Sequence, residues 1–219
     1  MSTAQCNFIE TTRLNIGDIE TRERLELMKI IEEFKFCFAE STGDLGCTDY
    51  GRMTIRTIND VPIYHKPYRL SFAERKIVQG KVQDLLANGI IQESDSDYAS
   101  PVILVKKKTE DYRLCVDYRA LNVVTVKDRF PLPHIDDQLC KLSDKIYFTS
   151  LDLAQGYHQV SMDEESIRKT AFVTPEGQYE YVRMGYGLAN APSVFMRIIK
   201  KALAGMTVDS ILVYMDEAR

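Results

Sequence analysis

Ile211-Leu212-Val213-Tyr214-Met215-Asp216-Glu217 is an apolar run ending in two adjacent carboxylates, the pattern of a buried strand that closes in a metal-binding turn. Two divalent cations held side by side repel one another, so such a turn needs further negative oxygens from a neighbouring strand. Asp152, closing the run Lys145-Ile146-Tyr147-Phe148-Thr149-Ser150-Leu151, is the candidate third acid. Adjacent strands lie about 4.8 Å apart. If the two acid-bearing strands are neighbours, their carboxylates therefore meet within reach of a metal pair spaced about 3.5 to 4 Å. On this segment alone, a pair of solvated acids in a polar tail remains an open alternative.

Working outward, 219 residues with 45% apolar content suffice for a globular chain with a real core. The formal net charge of −4 means that any nucleic-acid role must come from local arrangement of charge rather than its sum. Cys6, Cys37, Cys47, Cys115 and Cys140 form no CxxC and lack zinc-ligand spacing with His65, His134 and His158, so reduced, buried thiols are expected. There is no basic segment followed by an apolar core at the N-terminus, and no apolar run approaches membrane-spanning length. These features predict an intracellular protein, cytoplasmic or nuclear, without a membrane partner.

Residues 1–20 show no sustained period. From Thr21, the spacing of Leu27, Ile30, Ile31, Phe34 and Phe38 predicts a packing helix with one apolar stripe. Alternation over Met53–Ile58 predicts a strand. Ser71 with Glu74 forms a capping box, and Val78, Val82, Leu85 and Leu86 give a helical stripe that stops at Gly89. Strands Val102–Val105 and Tyr112–Val116 make a hairpin on which Lys106, Lys107, Lys108, Arg113 and Arg119 crowd together. That ribbon is either a solvated charge run or a hairpin that closes over phosphates. Phe130-Pro131-Leu132-Pro133 marks a stiff crossing between two halves. Ile135, Leu139 and Leu142 suggest a short helix, and the acid-bearing strand follows. Gln155-Gly156-Tyr157 and Gly185-Tyr186-Gly187 each put bare backbone beside an aromatic ring. Thr170–Thr174 and Gln178–Arg183 form a second hairpin around Pro175-Glu176-Gly177. Asn190 and Pro192 open a last helix with Phe195, Ile198, Ile199 and Leu203 on its buried side, before Gly205. The order of elements suits an α+β fold, a small antiparallel sheet backed by helices.

Several of these stretches resemble the reverse transcriptases of gypsy-type LTR retrotransposons. They are Leu151-Asp152-Leu153-Ala154-Gln155-Gly156-Tyr157-His158-Gln159, Tyr214-Met215-Asp216-Glu217, the hairpin from Val105 to Asn122, Lys127 to Pro133, and Gly187-Leu188-Ala189-Asn190-Ala191-Pro192. The similarity runs from roughly Ile30 to Glu217. It implies a right-hand polymerase, with an N-terminal linker and helical extension over 1–67 and a reverse-transcriptase domain over 68–219. Within that domain, 68–132 would be mostly fingers and 133–219 mostly a partial palm, a ferredoxin-like antiparallel sheet backed by helices, with thumb and RNase H absent. The resemblance also implies nucleotidyl transfer from a dNTP to a primer 3′-hydroxyl on an RNA or DNA template, with two Mg²⁺ ions (Mn²⁺ as substitute). Asp152, Asp216 and Glu217 would be the catalytic acids, and Asp152, the Leu153 carbonyl and Asp216 the metal ligands. Lys107 and Arg113 would hold the triphosphate over the Gln155–Gly156 backbone. Tyr157 would exclude a ribose 2′-hydroxyl, and Tyr186 and Gly187 would line the pocket. Remaining polyprotein domains would be partners.

Some positions depart from the family. Glu217 stands where the family has a second Asp, Gly185 where it usually has Pro, and Met196 where it usually has Gln. One extra methylene moves a carboxylate by over about 1 Å, a displacement that can cost about 10²-fold in rate. The expectation is an incomplete and weak or inactive polymerase fragment; the alternative is a catalytically dead remnant that binds nucleic acid or protein.

Overall fold

The computed structural model describes residues 15–39, 41–106, 112–131, 134, 136, 140, 143, 145–206 and 211–213. It divides into two units, Met1–Asp44 and Leu45–Arg219. In the first, α1 (Thr21–Glu33) forms where the apolar period predicts it and continues into a 3-10 turn at Lys35–Cys37. Among the described residues of this unit, its stripe is not covered. No residue of α1 is buried, and Ile30, Phe34 and Phe38 are exposed. Helical periodicity makes an apolar face, but burial requires a second element against it, and among its described residues this unit adds only two short 3-10 turns.

The second unit begins with β1 (Thr48–Met53), earlier than the strand expected at 53–58. The ladder stops at Met53, and within 54–58 an isolated bridge joins Thr57 to Thr125. In α2 (Phe72–Ala87) the capping box is complete. Ser71 Oγ accepts from the Glu74 N–H at 3.3 Å, and Glu74 accepts from the Ser71 N–H at 2.7 Å. Gly89, at φ +62°, ends the helix in the left-handed region, and the Ile90 N–H returns to the Leu85 carbonyl. Then follow β2 (Ile91–Glu93), β3 (Ser100–Lys106), β4 (Tyr112–Val116) and α3 (Arg119–Val124). The later elements are β5 (Val160–Met162), the one-turn α4 (Glu164–Ile167), β6 (Phe172–Val173), β7 (Gln178–Tyr181) and α5 (Ala191–Ala202).

Both expected hairpins form. β3 pairs antiparallel with β4, and β6 with β7 around a turn in which Thr174 Oγ1 accepts from the N–H groups of Glu176 and Gly177. They join one five-stranded sheet in the order β2-β7-β6-β3-β4. The sheet is mixed rather than wholly antiparallel, because β3 and β6 run parallel. β1 and β5 form a separate parallel pair. Val78 and Val82 of α2 pack into one core with Val102, Tyr118, Phe172 and Met184. The Tyr118 hydroxyl, brought inside with its ring, donates to the Thr170 carbonyl at 2.8 Å.

The strand expected before Asp152 is the main correction to the sequence reading. Residues 145–151 belong to no strand, and Ile146 and Leu151 are 86% and 75% exposed. Of the run that ends in Asp216, only 211–213 are described, and they join no ladder among the described residues. A strand is created by its hydrogen-bonding partner, and among the described residues neither run joins a ladder. The short helix expected around Ile135, Leu139 and Leu142 falls on residues outside those described. The cysteine reading also changes: among the described residues Cys37, Cys47 and Cys140 are exposed and Cys115 is half-buried, none of them in a disulfide.

Candidate active site

Asp152 sits on the exposed stretch that leads into a tight turn. The Leu153 carbonyl accepts the Gly156 N–H at 3.2 Å, and the Gln159 side chain donates to the Ala154 carbonyl at 3.0 Å, which braces the turn from both ends. Gln155 is the only described non-glycine residue at positive φ, +44°. Such strain persists only where surrounding contacts over-determine the backbone. The 3-10 turn Gly156–Gln159 follows directly. Gly156 is buried, and a Cβ there would lie 2.8 Å from Cζ of Phe195 on α5. The bareness read from the sequence as room for a ligand is thus already used by a ring of the protein itself.

Tyr157 stacks on Tyr186, centroids 5.1 Å apart at 23°, and leans on Phe195 at 5.2 Å. The Arg113 guanidinium lies over the other predicted ring, 6.0 Å from the Tyr186 centroid. Gly187 has φ +90°, and a Cβ there would approach the Val116 carbonyl oxygen at 3.3 Å, so glycine is required on both counts. Arg113, Gly156, Tyr157, Tyr186 and Gly187, all nominated from the sequence, therefore surround one place. Lys107, Asp216 and Glu217 lie outside the described residues.

Several contributors were missed. Asn122 of α3 donates to the Gly187 carbonyl and accepts the Ala189 N–H, both at 2.8 Å, which ties the 186–189 loop to the element after the basic hairpin. Asn190 does not cap α5 with its side chain. Its amide instead donates to the Val126 carbonyl at 2.8 Å and accepts the Asp128 N–H at 3.1 Å. Asp128 also receives Arg197 from α5 at 2.7 and 2.8 Å. Arg119, counted among the hairpin cations, is committed to Asp117 through two bonds of 2.8 and 2.6 Å, and the Tyr68 hydroxyl adds a third donor at 2.9 Å. The Arg119 bonds hold the Asp117 carboxyl far below the ordinary carboxylate range. Only the residue types of these amides and ions were visible in advance; their partners are remote in sequence.

Asp152 and the Leu153 carbonyl offer hard oxygen donors of the kind Mg²⁺ prefers. Among the described residues, however, no three His, Cys, Asp or Glu side chains converge as a metal site. Those residues thus supply part of a donor set whose chemistry fits the ion. Among the described residues no helix is long and apolar enough to cross a membrane.

The fold has counterparts among solved structures. Over 90% of this chain and 26% of the other, it matches the protease-reverse transcriptase of prototype foamy virus with a TM-score of 0.80 at 24% identity. It matches the foamy viral enzyme in complex with an RNA/DNA hybrid with a TM-score of 0.76 at 22% identity, covering 90% and 26% of the two chains. In sequence it is 38% identical over 214 residues to the retrovirus-related Pol polyprotein from transposon 297 of Drosophila melanogaster, 95% of this chain and 20% of that one. The polyprotein from transposon gypsy of the same fly is 34% identical over 218 residues, 97% and 21% of the respective lengths. The chain thus spans about a fifth of these curated relatives. Residues 105–218 match the reverse transcriptase (RNA-dependent DNA polymerase) family, and the chain belongs to it.

Proposed function

We propose that this chain is an RNA-directed DNA polymerase domain, transferring a nucleotide from a dNTP to a primer 3′-hydroxyl on an RNA or DNA template. The observation that carries this reading is the gathering of Gly156, Tyr157, Tyr186 and Arg113 just after Asp152, within the segment that matches the family. The fingers would lie mostly in 68–132 and the palm mostly in 133–219. The foamy viral relative's complex with an RNA/DNA hybrid supports a template-primer as partner.

Lys107 and Arg113 would hold the triphosphate, with Tyr186 under the Arg113 guanidinium. The Gln155–Gly156 backbone would lie beneath the phosphates. Tyr157, stacked on one side and propped by Phe195 on another, would present its ring to the sugar and exclude a 2′-hydroxyl. The family uses divalent metal ions; Asp152, Asp216 and the Leu153 carbonyl would hold Mg²⁺ or Mn²⁺, which when bound offsets charge that develops on the transferring phosphate. Glu217 would place its carboxylate off the position of a shorter acid, which lowers the rate.

Primer extension on an RNA template with Mg²⁺ or Mn²⁺, comparing the chain with Asp152→Asn, tests the assignment. Loss of at least about 100-fold is expected. Extension that survives the substitution overturns it. The exposure of Asp152 and of Ile146 and Leu151 before it favours a second reading, a nucleic-acid-binding remnant without catalysis. Salt-dependent RNA binding without extension, with a flatter salt slope once Lys106, Lys107 and Lys108 are replaced by Ala, would establish it.

A further inference from the structure

His158 follows Tyr157 and is 4% exposed, an unusual position for a group that water would solvate well. Its Nδ1 lies 3.1 Å from the Met184 carbonyl oxygen. A carbonyl only accepts, so Nδ1 carries the proton and donates it. The imidazole stands edge-on to Tyr186, centroids 5.1 Å apart at 74°, and stacks at 6.0 Å on Tyr181. Met184 is itself pinned by its N–H to the Val160 carbonyl at 2.7 Å. One side chain thereby joins the 3-10 turn that carries Tyr157 to the loop that carries Tyr186. Burial pushes its pKa down to about 4, so the ring stays in the neutral, Nδ1-protonated form near pH 7. An apolar ring would fill the same space without the desolvation cost, so packing alone does not account for a histidine here.

We propose that His158 is a positioning residue for nucleotide selection: its N–H fixes the Met184 carbonyl and its ring edge seats Tyr186, which holds Tyr157 in the orientation that admits deoxyribose and rejects ribose. This deepens, and rests on, the role of Tyr157 given above. A histidine that served only to fill the core would change stability without changing the choice of sugar.

The test compares the full chain with His158→Phe, which keeps a ring without the donor, and His158→Asn, whose amide N–H falls near the Nδ1 position without the ring edge. Steady-state primer extension on an RNA template is measured with dTTP and UTP, alongside thermal melting. The expected result is a roughly tenfold loss of preference for dTTP over UTP in His158→Phe, mainly as a lower KM for UTP, with partial recovery in His158→Asn. Folded variants that both keep the wild-type preference overturn the proposal. If His158→Phe does not fold, His158→Asn decides, and wild-type preference in it is the overturning result. If the wild type extends no primer with either nucleotide, the polymerase reading fails separately. Nuclear Overhauser contacts between the Tyr157 and Tyr186 rings then decide the positioning role: their loss in a folded variant supports it, and their retention overturns it.

Discussion

At Gly156 one methyl group decides the local geometry. A Cβ placed 2.8 Å from Phe195 Cζ must push that ring, and the ring rests on Tyr157 at 5.2 Å. Gly156→Ala is expected to lower stability by about 1 to 3 kcal/mol in urea denaturation and to weaken extension more than it weakens binding of the template-primer. A variant as stable and as active as the wild type would show that Phe195 swings aside without resistance. The glycine and both tyrosines were legible as residue types that let backbone and rings meet. Phe195 was read only as helix stripe, because its contact depends on how α5 packs over a turn remote from it in the chain.

Helix α2 separates two uses of glycine within one element. Gly80 lies mid-helix, and a Cβ added there would meet nothing within 4 Å, whereas Gly89 sits past the end at φ +62°. Gly80→Ala should stabilise the protein by about 0.5 to 1 kcal/mol, since alanine restricts the unfolded chain and suits a helix interior. Gly89→Ala should destabilise it by about 1 kcal/mol, as a Cβ is strained in the left-handed region. Opposite shifts in urea midpoint check both; equal shifts would mean that the helix does not end as described. This helix was fully legible, because its cap, stripe and stop are all local. The strand expected over 145–151 was not, since an apolar run says nothing about whether a ladder partner lies beside it.

Across the second unit, the buried groups set the response to acid. His158 binds its proton less readily when folded, with a pKa of about 4 against an ordinary value of 6.5. Its contribution is therefore complete above about pH 6.5 and declines as pH falls toward 4, by an amount on the order of 3 kcal/mol. Asp117, bonded to Arg119, is depressed below the carboxylate range, so its contribution is lost only in stronger acid, below about pH 4. Urea denaturation from pH 7.5 to 4.5 should show falling stability in the wild type and a flatter profile in His158→Phe. Equal slopes in the two proteins would mean that the imidazole titrates normally when folded.

By itself the sequence determined what is local or carried by long contiguous runs: the capping box at Ser71 and Glu74, both hairpins, the span of α5, and the stretches that mark a reverse transcriptase. The acids at 152 and 216 were also named from sequence pattern. Only tertiary structure decided that Phe195 occupies the space beside Gly156, that Asn122 and Asn190 bind loops rather than solvent or a helix end, and that His158 joins the two tyrosine-bearing turns. Caps and turns are settled by bonds between residues a few positions apart. Ring contacts, amide clamps and strand ladders exist only once distant segments meet, and residue types alone do not say which segments will.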